Sequence, residues 1–410
     1  MTFRLNIIFS GLLPVLGLLL LLGGCGEKDD QVLGPADDNP AIEANAWLWA
    51  FDADQDSLRV YDGATGSLHA TFFAQPHALL HEVMAGPAGE PTVWMGSGGT
   101  GFVFTAGFGT HGDHSHMELP TSLGTVATGG GNTHLTTDPH GETVSWANDA
   151  DETFTLVDVE TLTPVTVGHG SPHSSSLVAH GTLLATHMNE NWARLIDVDS
   201  GDIIATVTID TLAHGEAFYE ATEQAFIPCL NGITVVGLEE QENLGLIPYP
   251  EAGRVNFLLS GHDTNHALAP VKLADGAASS IWILDMQDHG LTAVSLPGAA
   301  VAWNRGEGNI NLSADGAVAV LTDLEKSQVY VVDLVAGATK TITTEAANMA
   351  CALGYSGDQL WLLDKASGDI HFHHQQDDVW EEGAGFTVHP GSDWIFITSL
   401  DPAVEIIRDY

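Results

Sequence analysis

The chain has 410 residues, with 54 Asp and Glu against 11 Lys and Arg, for a formal net charge of −43. Such acidity excludes nucleic acid as a partner, because phosphate binding needs basic patches; its negative field draws cations, although acidity also serves plain solubility. The length is generous for one domain but suits a large all-β fold.

In chain order the first element is an export leader over residues 1–24. Arg4 is its only charge, Ile7 to Leu22 is its apolar run, and small residues precede Cys25 in "LLGGC". Gly11, Pro14 and Gly17 interrupt the run, which argues against a membrane-spanning helix. The Leu-Gly-Gly-Cys ending resembles a bacterial lipobox. That resemblance implies cleavage before Cys25, acylation of its thiol, and a periplasmic protein attached to the membrane by lipid alone. Residues 25–45 are polar, acidic and proline-punctuated, as in a flexible tether.

From residue 46 to 410 short strand pairs recur, among them "AWLWAFDADQDSLRVYDGATG" (46–66), "TLLATHMNENWARLID" and "AVAVLTDLEKSQVYVVD". Strands rich in Val, Ile, Leu and Trp alternate with Asp, Asn and Gly turns, and no long helical period appears, so the domain is predicted to be all-β. A further short strand precedes most pairs, as "NINLSADG" precedes "AVAVLTD", and a fourth follows many, such as "DIIATVTID". Four strands every ~40–50 residues is the pattern of a propeller blade. The first pair lacks a preceding strand and the last a following one. The two chain ends are therefore expected to combine into one blade, giving a single eight-bladed β-propeller over 46–410, with seven blades as the alternative; such closure removes an exposed sheet edge. "YDGATG" and "IDVDSG" resemble the blade hairpins of YVTN-type bacterial propellers, a likeness specific for fold and silent on function.

Histidines punctuate this repeat. Aligned without a gap, residues 133–152 and 172–191 put His134 on His173; His214 in the next unit and His81 in the preceding one fall within about one residue of that phase. Innermost strands line the channel of a propeller, so His81, His134, His173 and His214 are expected to form an arc around one space, with Glu82 and Glu216 close in sequence. Converging neutral imidazoles are good zinc ligands; the plainer reading has them bonding only water and backbone. After the outward strand "GFVFTAG" comes "THGDHSH", where His111, Asp113, His114 and His116 fall within six residues. Flanking glycines and Pro120 predict a mobile metal-contacting loop between blades, against the plain alternative of a solvated polar loop. Imidazole and carboxylate suit Zn(II), Cu(II) and Ni(II) alike, and zinc is favoured by the lack of a Met-rich stretch and of a Cys–His redox cluster. Cys229 and Cys351 sit in apolar runs without a CxxC neighbour and read as buried thiols, with a disulfide between them left open. "IHFHH" (370–374) holds His371, His373 and His374 away from the inner strand and reads as surface or packing.

The "HGDHSH" segment, the channel histidines in one phase and the propeller repeat together resemble the AztD-type zinc metallochaperones, exported β-propellers that accompany a zinc ABC transporter. The resemblance implies that Zn2+ is the cargo, that the solute-binding protein of the transporter is the partner, that His111, Asp113, His114 and His116 form a mobile capture loop, and that the tighter ion sits among His81, His134, His173 and His214. A lipid anchor at Cys25 departs from a freely soluble member of that family. Two other classes stay open at this stage. One is a metal-dependent propeller enzyme, either a hydrolase whose channel zinc activates water or a copper-type oxidoreductase. The other is a protein-binding propeller with incidental histidines. No Ser-His-Asp pattern stands out, and the copper class needs a cysteine-rich electron-entry domain.

Overall fold

In the computed structural model the described residues are 45–408 less 53, 74–79, 86–90, 112–113, 169, 262–263, 273–279, 297–307 and 400–405. The leader at 1–24 and the tether at 25–45, Cys25 included, lie outside them save for Asn45. Among the described residues no helix is long and apolar enough to cross a membrane.

The described chain is all-β, and its strands form an eight-bladed propeller. Blade 1 pairs Leu68–Phe73, Ser57–Asp62 and Ala46–Asp52 in that order, and its fourth, innermost strand is Trp394–Ser399 from the other end of the chain. The expected joining of the two ends is therefore observed, with Trp49 opposite Phe396 in the register. Blade 2 (Leu80–Ala127), blade 3 (Asn132–Val167), blade 4 (Ser174–Thr208) and blade 5 (Ala217–Pro248) each run in sequence order from the innermost strand outward. Blades 6 to 8 span Arg254–Ser295, Ile310–Thr343 and Met349–Glu382.

Local chemistry explains the hairpins. At the turns after the third strand-forming run, an aspartate side chain accepts from a backbone N–H three residues on: Asp62 from Thr65 at 2.8 Å, Asp158 from Thr161 at 2.7 Å, and Asp197 from Ser200 at 2.7 Å. The Thr161 hydroxyl and amide hold the Asp158 carboxyl below the usual carboxylate range, and the Ser200 amide and hydroxyl do the same for Asp197.

The core lies between neighbouring blades, where the apolar faces of adjacent sheets meet. Trp47, Trp49, Phe51, Met95, Phe104, Trp394 and Phe396 are buried together in one such layer. Trp49 stacks on Phe396 at 5.4 Å between centroids, and Trp94 meets Trp146 at 5.8 Å. Buried indole N–H groups need acceptors. Trp49 Nε1 donates to Thr398 Oγ1 at 2.9 Å, and Trp361 Nε1 to the carbonyl oxygen of Gly63 at 3.0 Å.

One expectation is corrected. The segment around "THGDHSH" is no loop between blades but a β-hairpin inserted between the third and fourth strands of blade 2. Phe108–His111 pairs antiparallel with His114–Met117, and Ile406–Arg408 adds a parallel third strand. His111, His114 and His116 lie on the paired strands themselves, and the third strand comes from the far end of the chain, where local sequence gives no hint of the pairing.

Candidate metal centre

Blades 3, 4 and 5 each present a histidine at the start of the innermost strand. His134 is the third residue of Asn132–Thr137, His173 immediately precedes Ser174–Ala179, and His214 lies just ahead of Ala217–Tyr219. Their ligand nitrogens all fall within 4.8 Å of one another. Ring centroids are 4.6 Å apart for His134 and His214, 5.0 Å for His173 and His214, and 5.7 Å for His134 and His173. The strand register explains the convergence. A bulge between Asn132 and His134 shifts the pairing with the second strand, which re-aims the side chain that follows it. His173 adopts φ 62°, a left-handed conformation uncommon outside glycine.

The surroundings prepare these rings as ligands. His214 Nδ1 lies 2.9 Å from the carbonyl oxygen of Asn256, to which it can only donate, so Nε2 carries the lone pair. That Nε2 is 3.1 Å from His134 Nε2. A tetrahedral ion with bonds of about 2.0–2.1 Å holds its nitrogens about 3.3 Å apart, so the pair is close to chelating distance. Burial lowers the His214 pKa, outweighing the carbonyl of Asn256 and the charge of Glu216, which act to raise it. The ring is thus kept in the neutral form that binds metal. His173 Nδ1 stands 3.6 Å from Asp149 Oδ2, and the other oxygen of Asp149 accepts the Ser174 N–H at 3.1 Å. The His173 side chain is 48 % exposed, so the group opens to solvent on that side. Glu216 is turned to blade 4, where the hydroxyls of Ser175 and Thr186 donate to its two oxygens, and it acts on the centre as a nearby negative charge.

The other expected residues divide. His81 lies in the innermost strand of blade 2, Leu80–Ala85, but its side chain and that of Glu82 lie outside the described residues. Asp113 lies outside them altogether, as do the side chains of His111 and His114, although the backbone register makes His111 and His114 direct cross-strand partners. His116 is half-buried and, among the described residues, joins no group of three ligands. His371, His373 and His374 lie on the third strand of blade 8, and His373 is buried, in agreement with a packing role. Cys229 and Cys351 are buried free thiols. Burial pushes the Cys229 thiol up to about 11 and that of Cys351 still higher, so neither offers a thiolate near neutrality.

Sequence reasoning missed a second group. His140, His180 and Glu220 also bring ligand atoms within 4.8 Å of one another. Its sequence signal is the pair of His-Gly steps at 140–141 and 180–181, each one strand length beyond a channel histidine.

Fold and centre together define an eight-bladed propeller with a three-imidazole group at the start of three consecutive inner strands. No family model matches the chain, and no curated protein sequence matches it. Its fold is similar to that of two structures of AztD from Citrobacter koseri, one of them the apo form, with TM-scores of 0.69 and 0.68. Each is 14 % identical, and the match spans 86 % of this chain and 98 % of theirs. It is also similar, at a TM-score of 0.60 and 12 % identity over 89 % of this chain and 77 % of the other, to the dihydro-heme d1 dehydrogenase NirN in complex with DHE. At such identities the likeness speaks to the fold, which is that of an AztD-type propeller.

Proposed function

We propose that this chain is a zinc metallochaperone rather than an enzyme. It takes up Zn2+ through His134, His173 and His214, with His81 as a further ligand from blade 2, and passes it to the solute-binding protein of a zinc ABC transporter. The observation that carries this reading is the convergence of three imidazoles from three consecutive blades, one with its remaining nitrogen turned to a backbone carbonyl and one facing a carboxylate. The AztD-like fold and the resemblance seen in "HGDHSH" support the zinc assignment and the choice of partner.

The chemistry suits a carrier. The three imidazoles of blades 3 to 5 leave a fourth tetrahedral position, which His81 holds until a ligand of the receiving protein replaces it. Transfer then proceeds by ligand exchange, the exposed His173 leaving next. The acidic surface concentrates cations around the centre. His111, Asp113, His114 and His116 are the capture segment in this reading, with His111, His114 and His116 on the paired strands inserted in blade 2. The lipobox at Cys25 would hold the protein at the periplasmic face of a membrane.

The test is elemental analysis of untagged mature protein. Stoichiometric zinc is expected in the natural chain, with loss of the tight ion on replacing His134, His173 and His214 by alanine. Full metal retention in that variant would overturn the channel site. Transfer to the transporter's binding protein is checked by mixing zinc-loaded chain with the apo partner and measuring metal in each after separation. Turnover of esters or lactones by the zinc-loaded chain would instead favour a hydrolase.

A further inference from the structure

The second ligand group belongs to the same three blades and to the opposite ends of the same three strands. His140 sits in the turn after Asn132–Thr137, and His180 in the two-residue turn between Ser174–Ala179 and Thr182–His187. Glu220 begins the 3-10 turn after Ala217–Tyr219. Six residues separate His134 from His140 and Glu220 from His214, and seven separate His173 from His180. At about 3.3 Å per extended residue, the two groups stand at most roughly 20 Å apart along the inner strands.

Glu220 Oε1 lies 3.1 Å from His180 Nε2 and 3.5 Å from His140 Nε2, and the two rings meet edge to face at 5.7 Å. The other oxygen, Oε2, is buried and has no hydrogen-bond donor among the described residues. An enclosed carboxylate oxygen without a donor is costly, and a cation would satisfy it. The supporting turns are short and tied. Asp138 Oδ1 accepts the His140 N–H at 2.8 Å, the Gly141 N–H donates to the carbonyl of Asp138 at 2.8 Å, and the Glu223 N–H donates to that of Glu220 at 3.2 Å. Phe218, buried in the core of blades 4 and 5, lies 5.8 Å from the His180 ring.

We propose that His140, His180 and Glu220 form a second divalent-metal site at the opposite mouth of the propeller. Two imidazoles and one carboxylate, with a fourth position open to water, form a donor set for Zn2+ or a similar borderline cation. The side chains are one-third to just over one-half exposed, so the ion exchanges directly with solvent. The site stands independently of the channel histidines, and one propeller would thereby offer metal at both ends.

The experiment uses the mature chain in three forms: natural, His180→Gln/Glu220→Gln, and His134→Ala/His173→Ala/His214→Ala. Equilibrium dialysis against zinc, with metal counted by mass spectrometry, should show about one equivalent fewer in the double variant than in the natural chain. The triple channel variant should keep that equivalent and lose it only when both sets are combined. Anomalous scattering at the zinc edge from crystals grown with zinc should place an ion against His140 and His180 Nε2. Unchanged stoichiometry in the double variant, together with no anomalous peak at these residues, overturns the proposal whatever the channel variant does. If the double variant fails to fold, Glu220→Gln alone and the anomalous map decide the question.

Discussion

At the scale of single residues, the candidate centre is set by groups outside the three imidazoles as well as by the imidazoles themselves. Asp149 faces His173 Nδ1, and its other oxygen is fixed by the Ser174 amide. Such a carboxylate orients its imidazole, and losing it typically weakens metal binding 10–100-fold. Asp149→Asn should therefore weaken zinc binding roughly tenfold or more by competition titration while circular dichroism stays unchanged; an unaltered affinity would separate Asp149 from the centre. A different histidine, His373, contributes to acid lability. Burial holds His373 below its ordinary value, with Glu382 opposing and His371 and His374 reinforcing the shift. The folded state thus binds fewer protons than the unfolded chain. The contribution of His373 is complete above its unfolded value of about 6.5 and is lost as pH falls through that value toward the folded one. The melting temperature should drop between pH 7.5 and 5.5, and His373→Gln, which cannot take the proton, should drop less. Parallel curves for the two chains would assign the acid lability elsewhere.

At the scale of elements, one glycine shows how a connection positions a ligand. Gly215 has φ +69°, and a Cβ there would come within 2.4 Å of Phe257 Cβ and 3.1 Å of the Asn256 carbonyl oxygen. That carbonyl is the acceptor for His214 Nδ1, and the Leu258 N–H donates to the Gly215 carbonyl at 2.8 Å. The close approach of these two segments thus sets the His214 tautomer. Gly215→Ala should cost about 1–3 kcal/mol in denaturant unfolding and weaken zinc binding as well; an unchanged midpoint and affinity would show that the segments can part without consequence. Much of this level was legible in the sequence. The repeat yielded the blades, and the gapless alignment of residues 133–152 on 172–191 yielded His134 and His173 in phase, because both signals are periodic. What stayed hidden depends on long-range pairing or on turns. The hairpin of His111 and His114 takes its third strand from Ile406–Arg408, and His140, His180 and Glu220 meet only because three turns of different length converge.

At the scale of the whole molecule, closure and the imidazole cluster are carried by different parts of the ring. Trp394–Ser399 seals blade 1, and its Phe396 stacks on Trp49 within a layer shared with Phe51, Phe104 and Trp394. The three imidazoles belong to blades 3 to 5 and rest on other layers, such as that of Leu177, Leu184, Phe218 and Ile227. Phe396 is buried, and deleting such a ring costs about 3–5 kcal/mol through lost transfer energy and the cavity left behind. In a closed ring that loss should appear in global unfolding, because separating Trp394–Ser399 from Ala46–Asp52 exposes a sheet edge and an aromatic layer at once. It should hardly reach the metal, since distant sites without shared partners act additively. Phe396→Ala is therefore expected to lower the denaturant midpoint by an amount corresponding to about 3–5 kcal/mol, while zinc affinity below the unfolding transition stays within about twofold. A large fall in affinity would mean that closure strain is transmitted around the ring to blades 3 to 5, and a negligible fall in stability would mean that the terminal strand does not seal it.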